Sequence, residues 1–312
     1  MPTATGSDTY LAMIKQAPAT PEIMPVTPLL QKIAYSSSDI GSQVVTTESA
    51  NIKGNRRLAD VTLTGFTVGG GIEAEMTYGA SLDDELILNA IACEAWVANV
   101  AVDGDFYQPL YMELSLTTAQ YLQYFGMVVD EWAMSYKDQA LVTNTFSFVG
   151  LKETPAAVVS TGATYTDATD NPVFSTVSNV SNIEIDGVAS GECDIKEWDI
   201  NLTNNVTGKT GVGVLGACST NAHSFRGTGS ITMYFKDQTF KNKLKAGTPF
   251  SFGWTVTDAN GNGYTFLLPK CKLNTDEIPI SGTDDDIMDN AAFSILGDSV
   301  TDSAIKITRI VA

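Results

Sequence analysis

Residues 70–78 read GGIEAEMTY and residues 227–235 read GTGSITMYF. With Gly70 laid on Gly227, Ala74, Met76 and Tyr78 fall on Ile231, Met233 and Phe235. Between them, Glu73, Glu75 and Thr77 fall on Ser230, Thr232 and Tyr234, a mostly polar set. Alternation with a period of two, one face apolar and the other polar, is the mark of a half-buried strand. A slip of one residue would turn the apolar set outward, so the shared phase of the two segments carries more weight than their identities.

Working outward, each strand leads into a short helical stretch. After the first, Ser81 is placed to cap SLDDELILNAIA, with Asp83, Asp84 and Glu85 in the first turn, where the helix dipole favours acids. After the second, Thr239 is placed to cap TFKNKLKA, and Gly247 supplies a C-terminal stop. Both halves then return to strands: LYMELSL and ALVTNTFSFVG in the first, FSFGWTVTD and NAAFSILG in the second. Phe146–Gly150 (FSFVG) lies over Phe293–Gly297 (FSILG), and Asp130-Glu131-Trp132 lies over Asp276-Glu277-Ile278 after one single-residue gap. Internal repetition on this scale sets the fold. The reading is a mainly β chain of the sandwich- and barrel-forming kind, in two tandem copies of one module with one short helix each. Residues 1–24 read as an extended arm, 25–153 as the first module, 154–174 as a linker rich in Ser, Thr, Ala, Pro and Asp, and 175–312 as the second module.

The 312 residues are 44% hydrophobic and 17% charged, which excludes a mostly disordered chain. Eighteen Lys and Arg stand against 36 Asp and Glu, a net charge of -18. Nucleic-acid grips work by phosphate neutralisation and need a basic surplus, so such a grip is not expected, nor is docking on anionic lipid. A surface that nucleic acid must pass without sticking remains compatible. Cys93, Cys193, Cys218 and Cys271 are widely spaced with no CxxC, so they read as free thiols. The start of the chain lacks a basic region followed by an apolar one, and Leu86–Val102 is broken by Asn89, Glu94 and Asn99, so neither a signal peptide nor a membrane span is expected.

Little in the sequence points to chemistry. The single histidine, His223, has no nucleophile motif nearby and reads as a loop residue. Gly211–Gly216 matches GxGxxG, but ACSTNAHS follows it and will not make the helix that a dinucleotide site requires. Gly208-Lys209-Thr210 ends like a phosphate-binding loop, yet Thr203 stands where its first glycine belongs. Asp258–Gly263 begins like a calcium loop, but Pro269 occupies the position of the bidentate Glu, so a hairpin turn is expected. Asp284, Asp285, Asp286 and Asp289 read as a solvated acidic loop. No catalytic, cofactor or metal site is expected.

The run from Asn51 to Ala90 carries Arg57, Asp60-Val61, Thr64-Gly65, a glycine-led strand over Gly69–Tyr78 and the acidic helix Ser81–Ala90. Together with VVDEW and FSFVG it resembles the tail tube proteins of long-tailed bacteriophages, most strongly over residues 25–153. The resemblance implies a β-sandwich with a flanking helix, rings whose inner sheets close a barrel around a channel, stacking of the rings, and no catalytic residues. Single-module relatives form rings of six. Two fused modules then imply a homotrimer ring of pseudo-sixfold symmetry, in a virion tail assembled in the host bacterial cytoplasm. The implied partners are the chain itself and other tail proteins (tape measure, tail terminator and distal tail protein), with viral DNA passing through the lumen without specific binding. The other function class considered is a non-enzymatic β-sandwich that decorates a capsid or serves as an adhesin.

Two placements follow. Glu73 and Glu75, with Ser230 and Thr232 in the second copy, point away from the core, toward either the lumen, a neighbouring subunit or bulk solvent. Ser36–Asp60 and Asn201–His223 are long for loops in a compact module and are expected to order against an adjacent ring.

Overall fold

The computed structural model describes residues 6–51, 60–79, 82–191, 193–280 and 282–312. The first half of the chain runs β1 (Tyr10–Lys15), β2 (Leu29–Ile33), β3 (Ser37–Ser38), β4 (Gly41–Glu48), β5 (Val61–Glu75) and α1 (Leu82–Ala90). It continues with β6 (Val100–Val102), β7 (Leu110–Thr117), β8 (Gln120–Lys137), β9 (Thr143–Gly150) and β10 (Lys152–Ala156). After β11 (Thr164–Thr166) come β12 (Val180–Ile185), β13 (Val188–Ala189), β14 (Ile195–Thr203), β15 (Thr207–Lys209) and β16 (Ser219–Asn221). The chain ends with β17 (Arg226–Tyr234), α2 (Thr239–Ala246), β18 (Phe250–Thr257), β19 (Gly263–Glu277), β20 (Met288–Ile295) and β21 (Lys306–Ile310). The fold is mainly β, as the alternating segments require.

One wide antiparallel sheet crosses both halves in the order β4–β5–β9–β8–β14–β17–β20–β19, with β3 extending β4 along β5. Two long strands leave it and enter a second layer. Residues 120–127 of β8 pair with β7 and β10; β7 pairs in turn with β1, and β1 with β2. Residues 263–271 of β19 pair with β18 and β21, and β18 pairs with β12. Such strands make the corners of a sandwich. In β8 the switch falls at Gly126, whose φ of 64° suits glycine; the Leu151 side chain also packs where its Cβ would sit. Five strands of each half pair in the same pattern: β5, β9, β8, β7 and β10 in the first, and β17, β20, β19, β18 and β21 in the second.

Bulges fix how the two networks superpose. Val129 pairs with Phe148 just before a bulge at Asp130, and Leu273 pairs with Phe293 just before a bulge at Asn274. Matching them lays Phe148 on Phe293 and Phe146 on Ala291, two residues away from the sequence alignment. Ile72 then lies on Ile231, and Glu73 on Thr232 where the sequence places Ser230. A two-residue slide keeps every side chain on its own face, so alternation alone cannot detect it.

Other expectations are adjusted. Residues 10–15 of the expected arm form β1 between β2 and β7, with Leu11, Ala12 and Met13 fully buried. The expected linker is tied down as well: β11 lies parallel to β2, and Phe174 is fully buried. The buried carboxylate of Glu113 accepts from Tyr165 and from the Ser160 amide and hydroxyl at 3.1 and 2.7 Å, anchoring that segment onto β7. Of Ser36–Asp60, residues 37–38 and 41–48 are strand, as β3 and β4, and residues 52–59 lie outside the described residues; Asn201–His223 contains the end of β14 and the β15–β16 ribbon. Helix α2 begins at Thr239 with Gln238 as its N-cap, and Gly247 at φ 64° ends it as expected. Ser81 and Arg57 lie outside the described residues.

The apolar face of the wide sheet is covered by both helices and by the second layer, and one core cluster runs through both halves. At its centre Trp132 stacks on Phe146 at 5.7 Å, Trp254 on Phe266 at 5.0 Å and Tyr136 on Trp198 at 4.6 Å. Offset and edge-on ring pairs of this kind add to the area they bury.

Candidate assembly surface

The other face of the wide sheet is polar from end to end. One cross-strand row reads Glu73, Thr145, Ala133, Asn201, Thr228, Ser294, Lys272. The next reads Glu75, Thr143, Ser135, Asp199, Ser230, Ala292, Thr275. A third holds Gly71, Ser147, Glu131, Thr203 and Arg226, and a fourth Lys137, Glu197, Thr232, Asn290 and Glu277. Acidic residues on these rows outnumber basic ones. Behind each polar row stands an apolar one, such as Ile72, Phe146, Trp132 and Leu202. An antiparallel sheet with one dry and one wet face needs this alternation.

All four singled-out residues are on the polar face. Glu73, Glu75 and Ser230 are exposed and Thr232 is half-buried. The structure sets Glu75 and Ser230 in one row, four strands apart, and Glu73 and Thr232 in different rows. The sequence reading missed β14, which supplies Asp199 and Asn201 to the middle of the face. Its signal is present in EWDINLT, where Trp198, Ile200 and Leu202 point in and the residues between them point out. Ser135, Thr143, Thr145, Asp199, Thr228 and Ser230 line an open depression on this face. Ser135 donates to Asp199 at 2.5 Å and Asn201 to Glu131 at 2.5 Å, tying β8 to β14 across the seam between the halves.

The seam has a second fastening on the dry side. Asp84 of α1 accepts from the Tyr264 hydroxyl and from Arg309, both at 2.6 Å, and Arg309 lies over the Trp96 ring at 5.2 Å. Burial, opposed by those two donors, leaves the Asp84 carboxyl above the ordinary carboxylate range. The wide sheet ends in two edges that, among the described residues, lack a strand partner: β4 on one side and residues 272–277 of β19 on the other.

The motif-like residues take structural places. The GxGxxG stretch lies between β15 and β16, with no helix after it. Asp258 accepts from the Asn260 and Asn262 amides at 2.8 and 2.9 Å, closing the β18–β19 hairpin turn. His223 shares a hydrogen bond with Thr207 at 3.0 Å. Asp289, read with the acidic loop, is buried in β20 instead. Burial first, then the Asp276 carboxyl beside it, pushes it up to about 7. All four cysteines are free. Among the described residues no group of three or more His, Cys, Asp or Glu is placed to hold a metal. Among them, too, no helix is long and apolar enough to cross a membrane.

The described residues thus form a mainly β chain with one continuous polar sheet face bounded by two open edges. A family model of phage tail tube proteins matches residues 6–295, nearly the whole chain, and the protein belongs to that family. No curated protein matches it. Among solved structures it is similar to a chain of the cryo-EM structure of the anti-feeding prophage baseplate, 6-fold symmetrised, at 10% identity and a TM-score of 0.39. That match covers 51% of this chain and 99% of the other.

Proposed function

We propose that the protein is the repeating unit of a phage tail tube, that its two halves are tandem copies of one module, and that three chains close into a ring. The polar face lines the channel, and the open edges β4 and β19 join neighbouring chains. The observation that carries this reading is the continuity of the polar face across both halves to an unpaired edge at each end. An open sheet edge invites another strand, and closure into a barrel removes it. Eight strand positions per chain give roughly 24 in a ring of three, with a backbone diameter of about 48 Å at about 4.8 Å spacing and about 40° tilt. Barrels of 16–18 strands already hold an aqueous channel. An acidic, hydroxyl-rich wall suits passage of DNA, because it offers phosphates few cations to hold them.

Stacking falls to the hairpins. Val44, Val45, Val61 and Leu63 are exposed on the β4–β5 hairpin, and Val212, Val214 and Leu215 are exposed between β15 and β16. The two hairpins occupy equivalent places in the repeated network, so both would reach the next ring. Tail proteins that measure, terminate and tip the tube would meet the same surfaces, within a virion tail assembled in the host cytoplasm. Negative-stain microscopy of the purified protein tests the reading. Rings or tubes with a central hole are expected, and compact single molecules at all concentrations would overturn it.

A further inference from the structure

The chain contains one completed copy of the junction that its open edges would make. Inside the chain, β8 and β14 pair antiparallel, with Glu131 opposite Thr203, Trp132 opposite Leu202 and Ala133 opposite Asn201. The matched bulges at Asp130 and Asn274 place Thr275, Asp276 and Glu277 where Glu131, Trp132 and Ala133 stand. On the other side, Ile72 and Ile231 are equivalent. Ser38 pairs with the first and Trp198 with the second, which places Gly41, Ser42 and Gln43 where Asn201, Leu202 and Thr203 stand. An identity independent of the ladders supports this match: Asp39-Ile40 then coincides with Asp199-Ile200.

We infer that β19 of one chain pairs antiparallel with β4 of a second copy, with Thr275 opposite Gln43, Asp276 opposite Ser42 and Glu277 opposite Gly41. This rests on the ring reading above and adds a partner strand and a register to it. The two junctions differ in chemistry. The internal one sets Trp132 against Leu202 on its dry face, and Tyr136 stacks on Trp198 beside them. The intermolecular one sets Asp276 against Ser42. Polar side chains on an edge strand keep it from pairing indiscriminately. The apolar junction therefore forms with the fold, and the polar one forms later, between finished chains.

Disulfide trapping tests the register. In a background of Cys193→Ser and Cys218→Ser, which removes the exposed thiols, Gln43→Cys is combined with Thr275→Cys, or with Glu277→Cys as an out-of-register control. All three positions are exposed in the single chain, and equal melting temperatures with the parent establish that each variant folds. Directly opposed residues lie within disulfide reach, whereas a two-residue offset puts their Cα atoms about 7–8 Å apart, beyond it. Under mild oxidation of assembled protein the first pair should give about tenfold more linked chains than the second, in a ladder ending at three. Rings that assemble normally but link equally, or better through Glu277→Cys, would overturn the register and leave the ring reading standing. A parent that forms no rings under any condition would remove both.

Discussion

Replacing Arg309 by Met probes the clamp that holds the first-half helix against the second half. The wild-type guanidinium donates to Asp84 at 2.6 Å and to Asn99 at 3.0 Å, and covers the Trp96 ring. Breaking a buried ion pair by removing one partner costs about 3–5 kcal/mol, because the other charge is stranded. Asp84 is such a partner, its side chain 5% exposed, but Arg309 is 27% exposed, so water offsets part of the loss. The Tyr264 hydroxyl also remains on Asp84. Adding about 0.5 kcal/mol for the ring contact gives an expected loss of about 2–3 kcal/mol near pH 8. For a chain of this size that corresponds to about 4–8 °C in melting temperature. The pH dependence has a definite sign. A carboxyl held above its unfolded value favours folding in acid, and that advantage is lost as pH rises through its folded value. Removing Arg309 takes away one of the groups holding Asp84 down, so the variant's deficit should be small at about pH 4 and largest at about pH 8. Urea unfolding across that range, with Asp84→Asn and the double variant, measures both the loss and the coupling. A deficit under about 0.5 kcal/mol, or one that grows in acid, would refute the reasoning.

Asp289 carries a second pH effect: held up to about 7, it favours folding below the ordinary Asp range and loses that advantage as pH rises through 7. Melting temperature should therefore fall between about pH 5 and 8 in the wild type and much less in Asp289→Asn, which installs the residue found at the equivalent Asn144; parallel curves would count against it. Val61→Asp with Leu63→Asp should leave rings intact but abolish long tubes in electron micrographs, and unchanged tube lengths would remove these residues from ring stacking. Glu73→Lys with Glu75→Lys, carried in infectious particles, should leave tubes assembled and slow DNA ejection, most at low salt where screening is weak. Normal ejection would show that these glutamates do not line the channel.

The sequence makes the alternating strands legible because burial on one face imposes a period of two, as in GGIEAEMTY and TNTFSF. It also shows where α2 stops, since a left-handed C-cap favours glycine and Gly247 is there. The register between the halves is not legible. Sliding FSFVG by two residues against FSILG keeps every face, and only the bulges at Asp130 and Asn274, set by partner strands far away in the chain, break the tie. Residues 10–15 and 154–174 look like connectors because their composition is local, while their place is decided by β7, β8 and β2. Glu113 illustrates the same gap. Nothing in LYMELSL marks it as buried, and its donors Ser160 and Tyr165 lie in the expected linker. The candidate surface is half legible: Glu73, Glu75, Ser230 and Thr232 follow from alternation, and so does β14 as a strand, but its place between β8 and β17, which joins the two halves into one face, is set by pairing across the chain.

The mass of isolated rings tests most directly the proposed closure of three chains around the polar face, by native mass spectrometry or light scattering on material seen as rings in the microscope. Three chains of 33.3 kDa, about 100 kDa in all, are expected. A ring of six chains, about 200 kDa, would contradict it, because the two halves would then no longer stand as two positions around one channel.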